Sequence, residues 1–286
     1  MEVFNPAYIP RAFGLANIGN TCFLNSIIQA LLGCSSFVKA VINNPVFREF
    51  LSKQDGYILY RYFRVEPGQQ DAHEYLLKIL DQLKLKLFNI KYKVTIHCRQ
   101  CNYVLEKINP MENMIYYEGE GDLTEYIKMH KTYSPGYKCE KCSSVNSTNG
   151  TNIVQIYQLM KISEVIIICF KKYMFSSSLS LIDLLGQSNP ISRSDSINRS
   201  NSIKKNYDFP RILRFNGING ELCYELVSQI EHYGNNFSGH YNVISIRKNN
   251  QGLGVYKLDD SSYSPAGFGS TPNTYLVFYH LKSQSA

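Results

Sequence analysis

Apolar positions along the chain follow two periods, and the change from one to the other divides it. Within residues 22–33, Phe23, Ile27, Ala30 and Leu31 recur at i, i+4, i+7 and i+8, with Leu24 and Ile28 widening the stripe, which predicts a buried helix. A stronger stripe of period 3.6 runs over residues 69–88 through Ala72, Tyr75, Leu76, Ile79, Leu80, Leu83 and Leu87. Between them, residues 37–51 suit one or two short helices broken by Asn43-Asn44-Pro45, and residues 52–66 show little pattern. The period then shortens to two. Residues 94–97, 103–105, 153–159, 164–170, 222–230, 241–247, 255–258 and 275–279 read as strands, and the isoleucine-rich 164–170 is expected to be buried on both faces. Residues 122–127, opening on Asp122 with Glu125 three positions on, predict a short capped helix. A helical first third followed by strands with short turns indicates an α+β architecture.

Residues 176–206 break both patterns. They hold ten serines, no aromatic residue and a single short apolar patch at 179–185, and they are expected to form a flexible insertion between strands. Within them, Arg193-Ser194-Asp195-Ser196 and Arg199-Ser200-Asn201-Ser202 repeat an Arg-Ser-x-Ser pattern open to a basic-directed kinase.

Composition narrows the class. With 286 residues and 44% hydrophobic content, the chain can bury a full core in one large domain or two smaller ones. The first ten residues lack the basic region and apolar run of a signal peptide, and the longest apolar run, 165–170, is far short of a membrane span. An intracellular protein, cytoplasmic or nuclear, with no membrane association is therefore expected. The formal charge of +7 is spread along the chain and suits a solvated basic surface better than a nucleic-acid site. Eight cysteines are too few and too unevenly placed for a disulfide scaffold of this size, and Cys34, Cys169 and Cys223 sit in apolar stretches as expected core.

The remaining cysteines carry the candidate chemistry. Cys22 stands where the small polar loop Asn17-Ile18-Gly19-Asn20 becomes the first helix, with Thr21 as the expected N-cap. Unpaired N–H groups and the positive end of the helix dipole there favour a thiolate, the nucleophilic form. Asn17 is placed to donate its amide to an oxyanion forming beside Cys22. A thiolate nucleophile needs a base, and the base needs an orienting acceptor. His240 follows the glycine-rich turn 234–239 and opens a strand, while Asp259 and Asp260 end the next. If the two strands form a hairpin, its open end brings Asp259 back beside His240. Farther from these, Cys98-Arg99-Gln100-Cys101 and Cys139-Glu140-Lys141-Cys142 form two CxxC knuckles, the number of soft ligands that closed tetrahedral zinc requires. His97 is the competing ligand, but it precedes its knuckle.

These stretches resemble one family. GLANIGNTCFLNSIIQ around Cys22, QQDAHEYL at residues 69–76, VIIICFKKY at 165–173, His232-Tyr233-Gly234, Gly239-His240-Tyr241, Leu258-Asp259-Asp260-Ser261 and TYLVFYH at 274–280 are similar, in order, to the boxes of the ubiquitin-specific proteases. The resemblance covers residues 14–279 and implies a papain-like cysteine peptidase with a thumb-palm-fingers hand. In it, residues 14–90 would be a helical thumb, 91–160 zinc-bearing fingers, and 161–286 a palm with a mostly antiparallel sheet, all in one catalytic domain. It implies a deubiquitinase with Cys22 as nucleophile, His240 as base, Asp259 orienting it, Asn17 at the oxyanion and Asp260 assisting. It also implies Asp71, Glu74, His232 and Tyr241 along the path of the substrate's tail, and structural zinc on Cys98, Cys101, Cys139 and Cys142. The implied partners are ubiquitin and ubiquitinated proteins, met by a monomer. Two departures bear on packing: Val255 stands where the family has tryptophan, and Leu258 where it has phenylalanine. A ubiquitin-binding protein without turnover and a zinc-dependent nucleic-acid module remain open alternatives.

Overall fold

The computed structural model describes residues 1–117, 121–133, 136–145, 152–170, 206–217, 220–234 and 239–284. The serine-rich stretch up to residue 205, its Arg-Ser-x-Ser pairs, and residues 235–238 before His240 lie outside the described residues.

Five helices fill the first third: α1 (Cys22–Leu32), α2 (Ser35–Val41), α3 (Pro45–Lys53), α4 (Gly56–Phe63) and α5 (Ala72–Leu83). A sixth, α6 (Leu123–Lys128), follows later. Local chemistry sets their starts. Asn44 accepts from the Val46 N–H ahead of Pro45, Asp55 from Tyr57, Asp71 from His73 and Glu74, and Asp122 from Glu125. The predicted 69–88 helix is shorter than its stripe, because Asp71 caps it at one end and Lys84, at φ 51°, closes it at the other. Leu85 and Leu87 still pack on the core from outside the helix. Periodicity missed α4, whose buried side is only Gly56, Leu59, Tyr60 and Phe63, too short a run to establish a period.

The strands are β1 (Lys91–Cys98), β2 (Val104–Ile108), β3 (Ile115–Tyr117), β4 (Met129–Thr132), β5 (Ile153–Lys161), β6 (Val165–Phe170), β7 (Ile212–Gly217), β8 (Gly220–Gly234), β9 (Gly239–Asn249), β10 (Gly252–Asp259), β11 (Ser262–Pro265) and β12 (Thr274–Gln284). Four make an antiparallel sheet in the order β2-β1-β5-β4. The larger sheet runs β11-β10-β9-β8-β12-β6-β3, with β7 paired to the first half of β8 and β9 to the second. Its pairs are antiparallel except β3 with β6. Thus β3, from within the stretch expected to form the fingers, is an edge strand of the palm sheet.

The larger sheet is covered on both faces. Along β6, Val165, Ile167 and Cys169 face one core with the helices, while Ile166, Ile168 and Phe170 face a second core with β1 and α6. Strand alternation sends successive side chains to opposite faces, which is why this strand is apolar throughout. Every residue of α1 is buried, and the helix packs on β8, β9 and β10 as well as α2 and α5. Its C-terminal carbonyls end inside the protein, where the Arg247 guanidinium donates to Gln29 O and Gln29 Oε1, and Ser228 Oγ donates to Ala30 O. No single described helix is long and apolar enough to cross a membrane.

Candidate active site

Cys22 is the first residue of α1, and only 2% of it is exposed. Thr21 does not cap the helix; its Oγ1 accepts from the Ile18 N–H and donates to Asn17 Oδ1 instead. Asn17 organises the loop, its Oδ1 also accepting from the N–H groups of Gly19 and Thr21. Gly19 (φ 102°) and Asn20 (φ 58°) take left-handed conformations that the turn into α1 requires. Asn17 Nδ2 donates to Asp260 Oδ2 at 2.9 Å, and Asn25 Nδ2 donates to the other oxygen at 2.8 Å. Asp260 therefore ties the side-chain amide of Asn17 to Asn25 on α1. The same loop passes so close to Gly14 that a Cβ there would lie 2.1 Å from the Ser261 carbonyl oxygen.

The β9–β10 hairpin brings His240 and Asp259 together across its open end. His240 Nε2 lies 2.5 Å from Asp259 Oδ1, which assigns the Nε2 proton toward the carboxylate and leaves Nδ1 as the basic nitrogen. Both side chains are about 40% exposed (41% and 40%), so the pair orients the ring rather than adding much stability. Among the described residues, no hydrogen bond joins Cys22 Sγ to His240.

The thiol differs from the sequence expectation. Burial pushes the Cys22 thiol up, against hydrogen bonds from the Tyr241 backbone and the Gln69 side chain; the Asp260 charge pushes it further, and the Phe23 backbone opposes. The helix terminus alone does not produce a resting thiolate, because the sulfur sits inside the core. Gln69 was not foreseen as a site residue: its Nε2 is 3.9 Å from Cys22 Sγ, and a lone amide before a helix cap leaves no periodic signal.

The residues expected along the substrate's tail divide. Asp71 caps α5 and accepts from Tyr275 Oη at 2.8 and 3.0 Å. Although burial works against its charge, hydrogen bonds from His73, Tyr275 and the Glu74 N–H hold its carboxyl below the ordinary value. Its carboxylate is thus occupied structurally, whereas Glu74 is exposed. His232 is 5% and Tyr241 3% exposed, and their rings stack at 4.3 Å. Gly239 fits beneath them, since a Cβ there would sit 2.3 Å from His232 Nε2. Val255 packs half-buried against the first core and Leu258 is 2% exposed, so the two departures from the family pattern are absorbed.

The two CxxC knuckles meet at the tip of β1. Cys98 Sγ lies 3.7 Å from Cys142 Sγ and Cys101 Sγ 3.8 Å from Cys139 Sγ, and all four sulfurs fall within 4.8 Å of one another. These gaps exclude disulfides, whose sulfurs are about 2.05 Å apart. They match the edge of a tetrahedron about 2.3 Å from centre to sulfur, roughly 3.8 Å. The knuckles also repeat one backbone pattern. Cys98 N–H donates to Tyr103 O and Cys139 N–H to Ser144 O, and the residue after each second cysteine, Asn102 or Ser143, is left-handed. The Cys101 N–H brings the Cys98 thiol down to about 6 despite burial. His97, on the opposite face of β1 from Cys98, is not in the cluster.

Comparison with known proteins agrees with this geometry. The sequence model of the family described as ubiquitin carboxyl-terminal hydrolase matches residues 13–65 and 60–279. Ubiquitin carboxyl-terminal hydrolase 36 of Drosophila grimshawi is 23% identical over 334 residues, covering 94% of this chain and 25% of that protein. The protein of the same name from Drosophila melanogaster is 22% identical, covering 96% and 30%. The chain thus spans about a quarter of the length of the curated relatives it matches. Among solved structures, a SAGA DUB module of Ubp8, Sgf11, Sus1 and Sgf73 bound to monoubiquitin has a TM-score of 0.66 at 18% identity, covering all of this chain and 72% of that one. The same module bound to ubiquitin aldehyde scores 0.65 at 18% identity, covering 97% and 71%. Those relatives are assemblies of several proteins, which gives the expected monomer no support. A family-model match over nearly the whole sequence, on a fold that sets Cys22 against Tyr241 and Asp260, the sequence neighbours of His240 and Asp259, means that the chain belongs to the ubiquitin carboxyl-terminal hydrolase family.

Proposed function

We propose that this chain is a thiol-dependent deubiquitinase, hydrolysing the peptide or isopeptide bond after the C-terminal glycine of ubiquitin on protein conjugates or precursors. The observation that carries the reading is the convergence of Cys22 at a helix start, the oriented His240–Asp259 pair, and the amide of Asn17 fixed by Asp260. Family membership and the ubiquitin named in the solved relatives support the substrate class.

In this mechanism His240 Nδ1 takes the Cys22 proton as the sulfur attacks the glycine carbonyl. Asn17 Nδ2, one N–H of which is held by Asp260, directs its other N–H to the oxyanion beside the Cys22 backbone N–H. The imidazolium, stabilised by Asp259, returns the proton to the departing lysine amine, leaving a thioester on Cys22. Water, deprotonated by His240, then attacks the thioester, releasing the ubiquitin carboxylate and the free thiol. Glu74 is proposed to meet the basic tail of the substrate, with Asp71, His232 and Tyr241 shaping its path. Among the described residues, those of 14–90 act as thumb, those of 91–160 as fingers apart from β3, and those of 161–286 as palm. Cys98, Cys101, Cys139 and Cys142 hold structural zinc, which ties the two knuckles together and takes no part in the chemistry. We place the protein in the cytoplasm or nucleus, where eight unpaired cysteines are stable.

The test is intact mass after incubation with ubiquitin bearing a C-terminal electrophile. Wild type is expected to gain the mass of one ubiquitin and Cys22→Ala none. No gain in the wild type would refute the substrate class, and equal gain in both would refute the nucleophile.

A further inference from the structure

We propose that Gln69 is a catalytic residue whose side-chain amide donates to the Cys22 sulfur and stabilises its thiolate. The proposal deepens the deubiquitinase reading and rests on it for the overall reaction, although the thiol chemistry can be measured separately. Gln69 belongs to neither α1 nor the β9–β10 hairpin. It arrives from the segment entering α5, just after Gly68, whose φ of 107° turns the chain toward the cleft. That segment is pinned across the cleft at alternate positions. Gln69 Nε2 reaches Cys22 Sγ on α1 at 3.9 Å, Asp71 takes two contacts from Tyr275 on β12, and His73 Nε2 lies 2.7 Å from Tyr116 Oη on β3. With residues 71 and 73 anchored to the palm, residue 69 has little freedom to leave the sulfur.

The sulfur needs such a donor. Cys22 is buried, and its sulfur feels the negative charge of Asp260 and makes no hydrogen bond to His240 among the described residues. Among the described residues, the groups that donate to it are the backbone N–H groups of Tyr241 and Phe23 and the amide of Gln69. Gln69 is the side chain in that set, so it is the donor that a substitution removes. A contact of 3.9 Å is long for a neutral thiol; charge on the sulfur strengthens and shortens it, so its effect is greatest in the reactive form. A neutral amide also supplies this stabilisation at every pH, unlike a lysine or histidine.

The experiment compares wild type, Gln69→Leu and Gln69→Glu by the pH dependence of iodoacetamide alkylation at Cys22, read by peptide mass spectrometry, with thermal melting of each protein alongside. Loss of a charge-assisted donor predicts alkylation roughly 3- to 10-fold slower near pH 7 in Gln69→Leu. The profile should move to higher pH and reach the same plateau, with Gln69→Glu slower still because it places a second negative charge beside the sulfur. Turnover of a ubiquitin C-terminal amide should fall by a similar factor in kcat with little change in KM. Profiles that superimpose on wild type, or a lowered plateau without displacement along the pH axis, would overturn the proposal. If wild type is alkylated at Cys22 yet hydrolyses no ubiquitin substrate, the deubiquitinase reading fails while the alkylation profiles still decide the role of Gln69.

Discussion

Arg247→Met tests what holds α1, the helix that opens on Cys22, in place. Arg247 is completely buried with no carboxylate beside it among the described residues, and burial pushes its guanidinium down to about 9. It donates to Gln29 O, Gln29 Oε1, Ser245 Oγ and Ile246 O, while its Nε finds no partner among the described residues. Methionine keeps much of the stem volume and removes the head. Counting only the two acceptors on Gln29, since Ser245 Oγ keeps Ser228 Oγ and the Ile246 carbonyl is left out of the sum, the lost guanidinium costs about 1–3 kcal/mol for each, and the loss of a cation at the C-terminal end of α1 adds about 0.3–1 kcal/mol. Against this, removing a desolvated group with one unmade hydrogen bond returns about 1–3 kcal/mol. The balance is a destabilisation of about 3 kcal/mol. For a domain of this size each kcal/mol moves the midpoint by about 2–4 °C, so the melting temperature should fall by roughly 6–12 °C in a thermal scan. An unchanged or raised midpoint would mean that the buried charge costs more than its hydrogen bonds return, and would refute the view of Arg247 as the clamp on α1.

Three further outcomes follow from the same geometry. Asp259→Ala leaves His240 without its orienting acceptor and should lower kcat/KM on a ubiquitin amide about 10²- to 10⁴-fold with an unchanged melting temperature; activity within a factor of three would remove Asp259 from the mechanism. Cys98→Ser together with Cys139→Ser should abolish the one zinc per chain that elemental analysis is expected to find in the wild type, and lower stability without changing the Cys22 alkylation rate; a metal-free, fully folded wild type would dismiss the site. His280 is buried and neutral, accepting at Nε2 from the Ser36 N–H and Oγ and donating from Nδ1 to Leu281 O, and burial holds its imidazole below the ordinary value. The unfolded chain therefore binds a proton there that the native protein refuses, so stability should fall as pH drops below about 6.5 and level off once the native ring also protonates. His280→Gln should flatten that part of a chemical-denaturation profile against pH, and an unflattened profile would count against the assignment.

The order of elements was legible where a long apolar stripe met a capping residue or where apolar residues alternated. Residues 22–33 and 69–88 carried enough turns to reveal a helix, and 164–170 announced a strand covered on both faces. Helix α4 and strands β3, β4, β7 and β11 escaped because most span four to eight residues with mixed exposure, and their existence depends on neighbours remote in sequence. The candidate site was legible through its chemical identities: Cys22, His240, Asp259 and the paired cysteines stand in motifs whose spacing carries meaning.

Sequence by itself determined which residues are able to react, because residue type and local spacing decide nucleophile, base and soft metal ligand. Tertiary structure alone decided what those residues experience. It buried Cys22 beside Asp260, so that a thiol expected to ionise readily is instead pushed up. It turned Thr21 and Asn17 into loop organisers, occupied Asp71 with Tyr275, and brought Gln69 to the sulfur across a gap of 47 positions in the chain. The physical reason is that protonation, hydrogen-bond saturation and access depend on groups that arrive from other elements. A local pattern carries the donor or the acid, but desolvation and partners are properties of the packed whole.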